Sequence, residues 1–308
     1  MIGQTSSTIC ITFAIDIFCG VYLYGFVNGI AAKLLAGRWI AGIHANDAIE
    51  EAVAFNGKGI KVLLNNLGEG YRAKGRIEAT VSEYIYLIDK IAKMKLEVSL
   101  SVKPSQLGLL VGEEALRRNY LNIVKHAKEK KIFVWLDMEE HDTVDSTIEL
   151  YEHSLKYGNT GICIQSYLKR SMDDEKRLVN ENGIIRLVKG AYTEPKGIAL
   201  QSRAGVTTHF GSMMNYLFEN ANEFMIATHD MGMIDRAMRL ERTHKKRAMF
   251  GMLKGIMNRE AARLADQGED MGIYIPFGPE WVAYSYRRLT EAGHTSLILK
   301  SLVRRQSI

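Results

Sequence analysis

From residue 58 onward, short apolar runs rich in Val, Ile and Leu alternate with longer segments whose apolar residues recur every three to four positions. The first kind reads as buried strands, the second as amphipathic helices. The strand runs are residues 59–66, 96–103, 131–139, 161–167, 183–190, 224–230, 247–253 and 271–278. Helical period is plainest over 79–95, 112–131 and 234–246. Strands separated by helices predict parallel pairing, because right-handed crossovers need such intervening segments. The count predicts an α/β protein, a closed but distorted (β/α)8 barrel of TIM type. An open doubly wound sheet is the alternative, yet no GxGxxG turn follows any strand.

The first part of the chain has a different character. Residues 1–45 read as a helical lead-in, and residues 46–308 as the barrel domain. Within the lead-in, residues 10–32 are apolar over enough length to cross a bilayer. Asp16 inside that run costs roughly 3 kcal/mol on insertion scales, which argues against spanning. No Lys or Arg precedes the run, which argues against a signal peptide. The expectation is a helix packed on the barrel or lying on a membrane face. Cys10, Cys19 and Cys163 show no CxxC spacing and point to a reducing compartment. The expected location is cytoplasmic, with peripheral contact to the inner membrane face left open. A formal charge of +5 with short basic clusters gives no expectation of a nucleic-acid partner.

Chemistry concentrates where the strands end. The first strand finishes at Asn65 and leads to Glu69, the second ends at Lys103, and the third at Asp137, Met138 and Glu139. The fourth carries Gln165 and Tyr167, the fifth Arg186 and Lys189, the sixth Thr228, His229 and Asp230, and the eighth Tyr274. In a barrel these ends share one mouth, where barrel active sites form. A charge in a strand costs several kcal/mol unless paired or ligand-bound, so a polar ring serving stability alone is the competing reading. Near the C-terminus, Tyr284, Arg287, Arg288 and Glu291 fall at i, i+3, i+4 and i+7 of a helical segment and share a face. Paired arginines suit a ligand carboxylate.

Other chemistries are poorly supported. Residues 139–142, Glu-Glu-His-Asp, lack metal-ligand spacing and fall where a helix should begin, so they read as complements to its dipole. No metal is expected. There is no GxSxG elbow, and Cys163 has no evident activating partner. Lys103 could form a Schiff base in an aldolase-type barrel.

Eight segments in order carry a family resemblance: NNLGE (65–69), SVKPSQLGL (101–109), WLDMEE (135–140), IQSYLKR (164–170), RLVKGAYTE (186–194), ATHD (227–230), YIPFG (274–278) and YSYRRLTE (284–291). Together they resemble proline dehydrogenase, from about Trp39 to Arg288 and beyond. The resemblance implies a distorted (β/α)8 barrel holding FAD non-covalently at its mouth. It implies oxidation of L-proline to Δ1-pyrroline-5-carboxylate, with electrons passed on to a quinone or another acceptor. Asp137 and Arg186 would be catalytic. Flavin contacts would come from Met138, Gln165, Arg186, Val188, Lys189, Gly190, Ala191, Thr228 and His229. Proline would meet Lys103, Tyr274, Tyr284, Arg287 and Arg288, with Leu253 against its ring and Glu69 paired to one of the two arginines.

On this reading Arg186 and Lys189 supply positive charge to the reduced cofactor, while Gly190 and Ala191 leave room for its ring. Asn65 stands where the family often has a carboxylate, and Met249, Gly251 and Lys254 replace its usual Glu, Gln and Tyr on strand seven. Hydroxyproline oxidation, the Schiff-base barrel and a non-catalytic binding scaffold are the alternatives.

Overall fold

A computed structural model describes residues 37–282, 284 and 285. The apolar lead-in at 10–32 lies outside them, as do Arg287, Arg288 and Glu291. The eight strands are β1 Lys61–Asn66, β2 Val98–Val102, β3 Val134–Leu136, β4 Thr160–Gln165, β5 Ile185–Val188, β6 Phe224–Ala227, β7 Met249–Leu253 and β8 Asp270–Phe277. Each pairs in parallel with the next, and β8 returns to β1, closing the barrel. The helices are α1 Ala45–Asn56, α2 Lys74–Met94, α3 Glu113–Glu129, α4 Val144–Glu152, α5 Ser171–Asn180, α6 Arg203–Asn220, α7 Met231–His244 and α8 Asn258–Asp266.

Period-two alternation sorts each strand's side chains between the two faces. On β1, Val62 and Leu64 join the main core between sheet and helices, whereas Leu63 points inward. There it packs with Trp135 and Met225 in the barrel's own core. Gly251 and Gly272 make this filling possible, because a Cβ on either would run into Met225 or Met249. Met249 and Gly251 thus belong to the barrel floor. On the helices the buried face follows helical spacing, as in Ile77, Val81, Tyr84, Leu87, Ile88 and Ile91 of α2.

The third strand is much shorter than its apolar run suggested, covering Val134–Leu136 rather than residues 131–139. Asp137 N–H still donates to Val102 O at 2.8 Å, but the chain then turns. The side chains of Asp137 and Glu139 become engaged with partners across the mouth. Ahead of α1, the segment 37–42 lies along the barrel rim. Ala41 N–H donates to Pro276 O and Gly278 N–H to Gly42 O, both at 2.9 Å.

Candidate active site

The strand ends converge on a solvent-open cavity of about 240 Å3 at the C-terminal mouth. Every predicted site residue among the described ones lines it. Glu69, Lys103, Asp137, Tyr274, Tyr284 and Leu253 stand with Met138, Gln165, Arg186, Val188, Lys189, Gly190, Ala191, Thr228 and His229.

At its centre Asp137 is held from several sides. Ser101 Oγ donates to Oδ1 at 2.5 Å, and Arg186 Nη2 donates to the same oxygen. Tyr274 Oη donates to Oδ2 at 3.0 Å, and Lys103 Nζ stands 3.8 Å from it. Burial pushes the Asp137 carboxyl up, but Arg186, Lys103 and the Ser101 hydrogen bond outweigh it and hold it below the usual range. Asp137 is therefore a carboxylate at neutral pH. Arg186 Nη1 also donates to Ser101 Oγ at 3.1 Å, and its guanidinium lies near the rings of Trp135 and Tyr274. Burial and Asp137 raise the Tyr274 hydroxyl well above its ordinary value, so it keeps its proton.

Lys103 pairs more closely with Glu69, at 3.3 Å. Burial disfavours its ammonium, yet Tyr192, Asp137 and Glu69 outweigh that and hold its pKa well above the lysine value. The turn after Lys103 is fixed by Glu139, which accepts from Ser105 N–H at 2.8 Å and from Ser105 Oγ at 2.7 Å. Glu139 is thus no mere complement to a helix dipole; it clamps the loop that carries Lys103. His141, from the same acidic run, meets Glu194 at 2.5 Å. Among the described residues no cluster could hold a metal ion.

The opposite wall is built by β4 to β7. Gln165 Nε2 donates to Glu139 O at 2.8 Å. Lys189 Nζ meets Asp230 Oδ2 at 2.8 Å and Thr207 Oγ1 at 3.2 Å. Asp230 also caps α7 through Gly232 and Met233 N–H. His229 Nε2 accepts from Leu253 N–H at 3.0 Å, so that nitrogen is unprotonated. Gly190 lines the cavity as well. Its φ of +114° favours glycine, and the space a Cβ would take is filled by the Tyr167 ring. The absence of a Cβ thus lets Tyr167 pack here.

Tyr192 and Cys163 also line the cavity. Tyr192 follows Gly190-Ala191 directly, and its place in that loop is the signal that could have found it. Cys163 is buried beside Arg186 with its thiol pushed up by burial, so it is packing, not nucleophile. Ser101 carried no signal, because a serine within a strand is unremarkable until its partners are known.

A family profile described as proline dehydrogenase matches residues 48–300. The chain belongs to the proline dehydrogenase family. Proline dehydrogenase 2 of Bacillus subtilis (strain 168) is 30% identical over 284 residues, covering 90% of this chain and 94% of that one. Proline dehydrogenase of Deinococcus radiodurans is 33% identical over 266 residues, covering 83% and 86%. Among solved structures, proline utilization A from Bdellovibrio bacteriovorus superposes with a TM-score of 0.81 at 22% identity, a likeness of fold. It covers 89% of this chain but 34% of that one, so the chain spans about a third of that structure's length. Relative to the family pattern, Asn65 turns its amide to Ser101 O at 2.9 Å, and Lys254 is buried behind the cavity wall.

Proposed function

We propose that this chain oxidises L-proline to Δ1-pyrroline-5-carboxylate with FAD bound at the barrel mouth, the electrons leaving to a quinone-type acceptor. The observation that carries this reading is the meeting of Lys103, Asp137, Arg186 and Tyr274, from four strands, in one cavity of a proline dehydrogenase family barrel. The donor set fits a flavin. Val188, Met252 and Leu253 offer an apolar wall, while Arg186 and Lys189 bring two cations to its edge. Met138, Gln165, Gly190, Ala191, Thr228 and His229 would complete the contacts. A flavin there would supply the acceptor for the hydride, with its two electrons, that leaves the proline ring.

The residues themselves have separable tasks. Lys103, with Arg287 and Arg288, would bind the proline carboxylate and fix the ring, making transfer effectively unimolecular. Tyr274, Tyr284 and Leu253 would pack around that ring, and Glu69 would hold Lys103 in place. The imino nitrogen must lose its extra proton before hydride can leave; Lys103 and Arg186 would favour its neutral form and the Asp137 carboxylate its charged form, so together they would tune that proton loss. Asp137, kept ionised, orients Tyr274 and Arg186. Arg186 brings positive charge to the site where reduction adds negative charge.

The Schiff-base alternative weakens on the same geometry, since Lys103 is an ion-paired ammonium and not a free amine. The test is anaerobic: purified protein should be yellow and bleach when L-proline is added. A colourless protein that borohydride traps at Lys103 would overturn the reading. Parallel steady-state runs with hydroxyproline assign the preferred substrate. Among the described residues no helix is long and apolar enough to cross a membrane. Peripheral contact through residues 10–32 would suit a lipid-borne acceptor.

A further inference from the structure

Lys254 directly follows Leu253, the cavity-lining last residue of β7, yet it points away from the cavity and is only 5% exposed. Its Nζ donates to Gly37 O at 2.9 Å and lies 3.4 Å from both Arg38 O and Ile40 O. Glu51 of α1 stands 3.2 Å away. One ammonium thus gathers three carbonyls of the segment 37–40. Next to it Gly255 has φ +80°, and a Cβ there would collide with the Arg38 carbonyl. The segment therefore lies directly on the β7 end, and hydrogen bonds to Pro276 and Gly278 fasten its other end to β8.

Between these two fastenings sits Trp39. It is buried, and its indole N–H donates to Ser285 Oγ at 3.1 Å. With Ile40 and Leu67 it packs on Tyr284, which lines the cavity alongside Lys103 and Glu69. The line of contact runs from Lys254 through the strap to Trp39, then to Tyr284 and Ser285. In sequence the pair Arg287 and Arg288 follows after one further residue, Tyr286.

We propose that Lys254 is a positioning residue for substrate: it clasps the strap 37–42 to the barrel rim, and the strap's Trp39 holds Tyr284 against the cavity. The inference rests on the proposed function and adds a residue that touches neither substrate nor cofactor. The fold alone gives little reason for a cation here. Burial lowers the Lys254 pKa, with Glu51 only partly offsetting it, and buried ion pairs are often replaceable by apolar residues without loss of stability. What an apolar residue cannot do is donate to three carbonyls.

The test compares Lys254→Met with wild type. KM for proline should rise about tenfold, the scale of losing charge-assisted hydrogen bonds, while kcat stays within about twofold. Trypsin should cut after Arg38 about tenfold faster, read by mass, as expected when a local tie worth that factor is removed. Trp39→Phe should raise KM without speeding that cleavage, because it spares the clasp. Should Lys254→Met fail to fold, Glu51→Gln is expected to shift both readouts the same way by a smaller factor. Unchanged KM with unchanged Arg38 cleavage overturns the proposal, as does a loss confined to kcat. A wild type that does not oxidise proline would sink the proposed function instead, while Arg38 cleavage would still judge the strap.

Discussion

Tyr274 at the middle of β8 and Asp137 at the end of β3 meet at 3.0 Å, Oη to Oδ2, across the barrel mouth. Because Arg186 and Ser101 occupy the other carboxylate oxygen, one buried Asp joins β2, β3, β5 and β8. Removing it should be costly in two ways.

Asp137→Ala would leave the Arg186 guanidinium buried with no carboxylate partner. Loss of one member of such a pair costs about 3–5 kcal/mol, and urea unfolding should show it. The pH dependence has a definite sign. A carboxyl whose folded pKa lies below 3.8 contributes stability that is present above that value and lost as pH falls through the folded pKa. Asp137→Asn should lack that acid-limb contribution.

Glu175 behaves in the opposite way. It is fully buried in α5, neither carboxyl oxygen has a hydrogen-bond partner, and burial raises its pKa to about 9. It is protonated in the fold at neutral pH but ionised when unfolded, so stability falls as pH rises from 4.5 toward about 9. Glu175→Gln should flatten that slope and stabilise the protein by up to roughly 3 kcal/mol at pH 7. Thermal melts at several pH values measure both, and a steeper slope in the variant would contradict the assignment.

Gly190→Ala puts a Cβ into the Tyr167 ring at a φ that disfavours side chains. Strain of this kind costs about 1–3 kcal/mol. The melting temperature should drop, and pairing the change with Tyr167→Ala should recover only the steric part.

Arg288→Ala tests the carboxylate clamp assigned by family resemblance. Apparent KM for proline should rise steeply, since truncating such a charged partner costs about 2–5 kcal/mol, while flavin content stays constant. Unchanged kinetics would remove Arg288 from the clamp.

Much of the architecture was legible because barrel strands are buried on both faces and so stand out as apolar runs between amphipathic helices. The third run was over-read, since Asp137 and Glu139 continue its pattern while their side chains answer to Tyr274 and Ser105. The site was legible as polar residues at strand ends, a position that the barrel topology converts into proximity. Roles that depend on a partner far along the chain stayed hidden: Ser101 beneath Arg186, Glu139 on Ser105, and Lys254 under the strap.

The sequence alone determined periodicity, strand count and the ordered motifs, because each is set by neighbours within a few residues and by the free energy of burying apolar surface. Only the tertiary structure decided pairings. Whether Asp137 faces Tyr274 and Arg186, or which ring fills the space beside Gly190, depends on register and packing between segments. No local pattern encodes that geometry.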